Sequence, residues 1–222
     1  MDIILILILI LLPLSVSILI SVNINKYGKS DTKKSILGFE VARTILDENE
    51  LENVYITESN EAIMSYYDFR RKVVRLKKEV FNNSNLKSCV ISAKEASRAI
   101  MDKKKHQLYS IRNSLSTFLN ILLYSGYTII ALGTLFGHIR TIYVGFAFVY
   151  SVLLFHICTI KIERDTNKLA LIEIKNTKLF STKEIEKIKK ILDSLTYIGI
   201  ASITYPIIEL VKRIIQFGDS NK

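Results

Sequence analysis

Four apolar runs divide this chain, and the polar stretches between them carry their own periodicities. The first run, residues 3–22, is broken only by Pro13, Ser15, Ser17 and Ser21. About 20 apolar residues cover a bilayer core, so the run predicts a membrane helix. A secretory leader is the alternative. Only Met1 and Asp2 precede the run, with no Lys or Arg, and the run is longer than a leader's apolar region. An uncleaved anchor is therefore expected. Two further runs, Ser116–Phe136 and Thr141–Ile160, are joined by Gly137-His138-Ile139-Arg140. Each is about the length of a span, so they predict an antiparallel membrane hairpin. The fourth run, residues 195–217, is less pure, with Pro206 inside it and Glu209, Lys212 and Arg213 near its end. Its length favours a fourth span over an interfacial segment.

Between the runs the pattern changes. Asn23–Lys34 is polar and rich in Lys, a juxtamembrane linker at the headgroups. Gly38–Asn49 carries Val41, Ala42, Ile45 and Leu46 at helical spacing. Asn53–Thr57 and Lys72–Leu76 are short and β-branched and predict strands, with Ser65–Arg71 a turn-like polar-aromatic link between them. Leu86–Lys104 reads as a helix with Leu86, Val90, Ala93 and Ile100 on its apolar stripe. Asn85 or Ser84 is placed to cap its start, and Lys103-Lys104-Lys105 suits its negative end. In Lys161–Ser194, Ile185, Ile188, Ile191 and Leu192 recur at helical spacing among Lys and Glu, an amphipathic helix for the bilayer surface or the soluble domain.

The 222 residues carry a formal net charge of +10 although 49% of them are hydrophobic. Charge and apolarity are segregated along the chain, which points to an anionic membrane surface and away from nucleic acid. Cys89 and Cys158 form neither a disulfide framework nor a Cys-rich zinc site. Lys26, Lys29, Lys33 and Lys34 follow the first span, Lys103, Lys104, Lys105 and Arg112 precede the second, and Lys161, Arg164 and Lys168 follow the third. Positive residues mark the cytosolic side. The N-terminus is then outside, and residues 23–115 and 161–194 share the cytosolic side.

The predicted helix at Leu86–Lys104 contains Lys94-Glu95-Ala96-Ser97-Arg98, K-E-x-x-R. In H-E-x-x-H, two His at i and i+4 bind zinc on one helix face and the Glu acts as general base. Here the Glu stands alone. By composition alone the segment reads as a solvated helix face, and Glu163-Arg164-Asp165 beyond the hairpin as interfacial charge. His106, His138 and His156 include no i, i+4 pair. His156, inside a run, is a polar group in lipid that a bundle interface tolerates.

Ordered matches across nearly the whole chain make it resemble the membrane neutral zinc metallopeptidase family (YugP type). Gly38-Phe39-Glu40-Val41-Ala42-Arg43 with Ile45-Leu46-Asp47 is similar to that family's G-x-E-V-A-R-x-I-L-D. Tyr67-Asp68-Phe69-Arg70 with Lys72-Val73-Val74-Arg75-Leu76 resembles its D-H-Y-D-P-R-x-K-x-V-R-L, Phe69 standing for Pro. Glu163-Arg164-Asp165 matches its post-hairpin E-x-D. The resemblance implies a zincin-like fold, zinc as cofactor, Lys94, Arg98 and Glu163 at the ligand positions with Asp165 adjacent, and Glu95 at the general-base position. Arg is permanently protonated and only donates, and an ammonium with a guanidinium repels a divalent cation, so neither metal nor catalysis is expected. Glu163 or Asp165 is expected within about 4 Å of Lys94 or Arg98, ion pairs standing in for the ion.

The expected fold class is an α+β membrane protein: a zincin-like helical domain with a short β-sheet, plus three or four transmembrane helices. In order these are an anchor (3–22), a cytosolic degenerate zinc-peptidase-like region (23–115), a transmembrane hairpin (116–160), a charged amphipathic segment completing the site (161–194) and a fourth transmembrane or interfacial helix (195–217). The expected function is that of an inactive family member that binds a membrane protein or peptide beside the lipid bilayer. The alternatives are an active hydrolase with a non-standard metal site built from Glu95, Glu163 and Asp165, and a structural membrane-surface protein.

Overall fold

The structure, a computed structural model, describes residues 3–59, 64–104 and 107–208. It divides into two compact units, one of residues 1–19, 114–160 and 197–222 and the other of residues 20–113 and 161–196.

The first unit is built from the apolar runs. Helix α1 (Ile3–Tyr27) continues five residues past the predicted anchor, so Asn23–Tyr27 is helix and not linker. Helices α5 (Gln107–Leu135) and α6 (Ile139–Cys158) form the hairpin, and α5 starts nine residues before the predicted run. Three helices among the described residues are long and apolar enough to cross a membrane, over Leu7–Tyr27, Ser110–Leu135 and Ile139–Cys158. At the hairpin turn Gly137 takes φ +68°, a conformation that costs glycine little. Gly126 and Gly145 let α5 and α6 touch: a Cβ on Gly145 would stand 2.7 Å from the Gly126 carbonyl oxygen. Leu9, Leu119, Leu123, Val149, Val152, Leu153, Ile200 and Ile203 fill the interior of this unit, while Leu11, Phe118 and Ile121 stand exposed. His156 packs against Gly199, where a Cβ would lie 2.6 Å from its Nδ1. The fourth run begins as a short helix, α9 (Ile198–Ser202), turns at 203–204 and resumes at 205–208. The end of the predicted fourth span, residues 209–217, lies outside the described residues.

The second unit pairs α2 (Gly38–Glu48) with α4 (Leu86–Lys103). Val41, Ala42, Ile45 and Leu46 of α2 and Leu86, Val90, Ala93, Ala96 and Ile100 of α4 are all buried. Each large apolar side chain there contributes roughly 1.5–3 kcal/mol by leaving water. The contact is close because Gly38 has no side chain: a Cβ there would meet the Ser92 Oγ of α4 at 2.9 Å, and the Val80 carbonyl oxygen at 2.1 Å. Val80 belongs to the short α3 (Lys78–Phe81). The Asn85 side chain accepts the Ser88 N–H at 2.9 Å and so caps α4.

A three-stranded sheet, order β1-β3-β2, lies beside these helices, with β1 (Tyr55–Ser59) parallel and β2 (Tyr66–Asp68) antiparallel to β3 (Val73–Lys77). Two expectations are corrected here. The first strand starts two residues late, because Leu51 and Val54 form a turn whose carbonyls both accept from Arg43. The polar-aromatic link is a strand, because Tyr67 turns inward to be buried while Tyr66 stays exposed. The segment 161–194 is two helices, α7 (Ile160–Asn176) and α8 (Thr182–Leu195). They are separated by Lys178 at φ +53° and by Ser181, whose N–H and hydroxyl donate to Glu184 at 2.7 and 2.6 Å. The apolar stripe of α8 (Ile188, Ile191, Leu192) is buried in the second unit, so it is spent on protein and not on lipid.

Candidate functional site

Helix periodicity assembles the site. Lys94 and Arg98, four residues apart on α4, share one face, and Glu95 lies beside them. Glu163, in the first turn of α7, reaches the same place, where the positive end of that helix favours a carboxylate. The Lys94 ammonium donates to Glu163 Oε2 at 2.8 Å and to the Leu195 carbonyl at 3.2 Å. Arg98 sends Nη2 to both Glu163 oxygens at 3.0 and 3.2 Å and Nη1 to both Glu95 oxygens at 2.9 Å. The Tyr67 backbone N–H donates to Glu95 Oε2 at 3.0 Å. Arg112, from the first turns of α5, also pairs with Glu163 Oε1. The Lys94 and Glu163 side chains are only 5% and 4% exposed, so the pair is desolvated. A solvated helix face is thereby excluded for Lys94-Glu95-Ala96-Ser97-Arg98.

Three cations thus face two carboxylates out of water. Burial pushes the Lys94 ammonium down, and Arg98 adds to that against the attraction of Glu163. For Glu163, burial alone favours the neutral acid, but Arg98, Lys94 and Arg112 outweigh it and hold the carboxyl well below the usual carboxylate range. Glu163 is the hub of the cluster, the group to which all three cations turn.

The ion pairs expected for Glu163 are present with both Lys94 and Arg98. Asp165 is not brought in. Two residues on, it lies about 200° around α7 and forms no ion pair among the described residues. Two participants lay beyond the sequence reading. In the sequence Arg112 stands out only as a topology charge, although a cation at the entrance of an apolar run needs a partner. Tyr67 contributes through its main chain, to which residue type gives no clue. Its hydroxyl donates to Asp102 at 2.9 Å, and Lys72 pairs with the same carboxylate.

These donors do not fit a zinc ion. Zinc takes thiolate, imidazole or carboxylate, whereas Lys94, Arg98 and Arg112 present only N–H groups and already engage the Glu163 carboxylate. Glu95 accepts from Arg98 with both oxygens and from Tyr67 with one. No group of three His, Cys, Asp or Glu placed to hold a metal occurs among the described residues. His106 lies outside them.

Comparison with known proteins bears on the scaffold. Residues 2–218 match the family described as "Putative neutral zinc metallopeptidase". The chain is 24% identical over 200 residues to "Putative membrane protease YugP" of Bacillus subtilis (strain 168), covering 86% of this chain and 85% of that protein. No solved structure matches significantly. The match runs through the apolar helices and the α4 and α7 segments alike, so the scaffold is the family's from end to end. Matched over nearly its whole length, the chain belongs to this family of neutral zinc metallopeptidases.

Proposed function

We propose that this chain is an inactive membrane member of its family, a zincin-like frame whose hydrolytic centre has been replaced by a buried ion cluster. One observation carries the reading: Glu163, at the position of the third ligand, is engaged by Lys94, Arg98 and Arg112, and Glu95, at the position of the general base, is engaged by Arg98 and the Tyr67 N–H. A general base must reach its water with a free lone pair in line. A carboxylate without a metal beside it does not lower the pKa of water enough for peptide cleavage. The role left to such a frame is binding or regulation of a membrane protein or peptide. In this reading the second unit faces the cytosol, which the excess of Lys and Arg near the span ends supports. The alternatives remain the hydrolase with a non-standard site of Glu95, Glu163 and Asp165, which the position of Asp165 disfavours, and a purely structural surface protein.

The deciding experiment is metal analysis of the full chain purified in detergent. The expected content is well below one equivalent of zinc or any other divalent metal. One tightly bound equivalent, lost in Glu163→Gln, overturns the proposal. A peptide or membrane protein crosslinked through α4 separates the binding role from the structural one.

A further inference from the structure

A second group of cations stands apart from the ion cluster, where the first span ends. Helix α1, a helix of membrane length, ends at Tyr27, five residues past its apolar run. An aromatic ring at that position belongs at headgroup level. Two ammonium groups converge on the ring, Lys26 Nζ at 5.3 Å and Lys190 Nζ at 5.1 Å from its centroid. Lys187, one turn before Lys190 on α8, reaches Ser30 Oγ with its Nζ at 3.5 Å. Lys87 is drawn to the same corner by its backbone N–H, which donates to the Gly28 carbonyl at 3.0 Å, and Lys29 is exposed between them. None of Lys26, Lys29, Lys87, Lys187 and Lys190 forms an ion pair with a carboxylate among the described residues. The acids of the neighbourhood are few. Asp31 accepts from the Ser84 hydroxyl, Glu184 is buried and engaged by Ser181 and the Lys33 N–H, and Glu186 and Asp193 are exposed on α8 without an ion pair among the described residues.

Like charges held together without counterions repel. The ring of Tyr27 offsets this weakly, because a cation over an exposed aromatic face gains little. An anion seated among the lysines removes the repulsion altogether. Burial of the apolar stripe of α8 leaves its lysines outward, and Lys183, Lys187 and Lys190 follow one another at i, i+4 and i+7 along one face.

We propose that this corner, formed by the end of α1 and the outward face of α8, holds anionic phospholipid headgroups. The height of the cluster selects this occupant: it surrounds the residue that ends a membrane-length helix, where lipid phosphates lie and nucleic acid does not. The proposal is independent of whether α4 and α7 hold a metal.

The test uses the full chain reconstituted in nanodiscs of phosphatidylcholine and phosphatidylglycerol, with spin-labelled forms of each lipid. Motionally restricted signal reports the relative association of phosphatidylglycerol over phosphatidylcholine. The native chain prefers phosphatidylglycerol, and added salt weakens the preference. A lysine at a membrane surface is worth about fivefold in affinity, so K26Q/K187Q/K190Q lowers the preference by about fivefold or more. K26R/K187R/K190R keeps it, which separates charge from folding, and so does R71Q/K78Q, which removes two exposed cations elsewhere. The proposal is overturned by no preference in the native chain, a preference undiminished in the triple Gln variant, or a loss in R71Q/K78Q as large as in that variant. Abolition by millimolar inorganic phosphate at constant ionic strength also overturns it, by assigning the corner to a soluble anion.

Discussion

Glu163→Gln is the most informative perturbation of the ion cluster. The change keeps the shape of the side chain and removes one charge, so lost packing plays no part. Three cations that pointed at a carboxylate then point at an amide, and two of them, Lys94 and Arg98, came within 2.8 and 3.0 Å of it. At 4% exposure, water does not replace what is lost. Removing one member of a buried pair costs about 3–5 kcal/mol, most of it the penalty of the stranded partners. For a chain of this size that is roughly 6–20 °C in melting temperature, at about 2–4 °C per kcal/mol. Scans of detergent-solubilised protein at one fixed rate compare the variants even where unfolding is irreversible. Lys94→Met is the informative contrast. It leaves two cations facing two carboxylates, and Lys94 is the cation whose protonation burial already opposes, so it costs less than Glu163→Gln. The pH dependence has a defined sign. The folded-state carboxyl of Glu163 lies below its ordinary value of 4.5, so its stabilisation is full above about that pH and is lost as pH falls toward the folded value. The gap between native chain and variant is therefore constant near neutrality and narrows below pH 4.5. A shift smaller than about 1 kcal/mol, or a gap that widens on acidification, refutes the account of Glu163 as the hub of the cluster.

Two further outcomes follow from the same geometry. Restoring imidazoles with Lys94→His and Arg98→His supplies two ligands but leaves Arg112 on Glu163, so zinc binding measured by competition with a chromophoric chelator is expected to be weak. Adding Arg112→Gln frees the third ligand and tightens it, and failure of the triple variant to bind zinc means that the frame itself has drifted. Gly38→Ala places a methyl 2.1 Å from the Val80 carbonyl oxygen, a backbone atom that cannot rotate away. It should destabilise the second unit by about 1–3 kcal/mol, read as a lower denaturation midpoint.

The family's opening motif has a physical explanation in this fold. The Gly38 of Gly38-Phe39-Glu40-Val41-Ala42-Arg43 admits the α3 backbone, and Glu40 accepts the Leu37 N–H at 2.8 Å at the start of α2. Val41 and Ala42 are buried, and Arg43 secures the turn before β1 through the carbonyls of Leu51 and Val54. None of these positions touches the ion cluster. The motif at the start of α2 thus builds the scaffold through contacts separate from the hydrogen bonds and ion pairs of Lys94, Arg98 and Glu163.

By itself the sequence determined what depends on neighbours along the chain. The apolar runs required helices of membrane length, the stripes of α2, α4 and α8 required buried faces, and Asn85 marked a helix start. Two cations four residues apart on one helix had to lie on one face, whatever the fold. Only tertiary structure decided what lies at a distance. It made a strand of Tyr66–Asp68 because β3 offered an edge and α4 a place for Tyr67. It laid α8 on protein and turned its lysines outward. It brought Arg112 to Glu163, fifty-one positions along the chain, and left Asp165 aside. The reason is physical: periodicity fixes which face a residue is on, but the partner that meets a buried charge is set by packing, and in the low-dielectric interior that partner decides which charges the fold can hold.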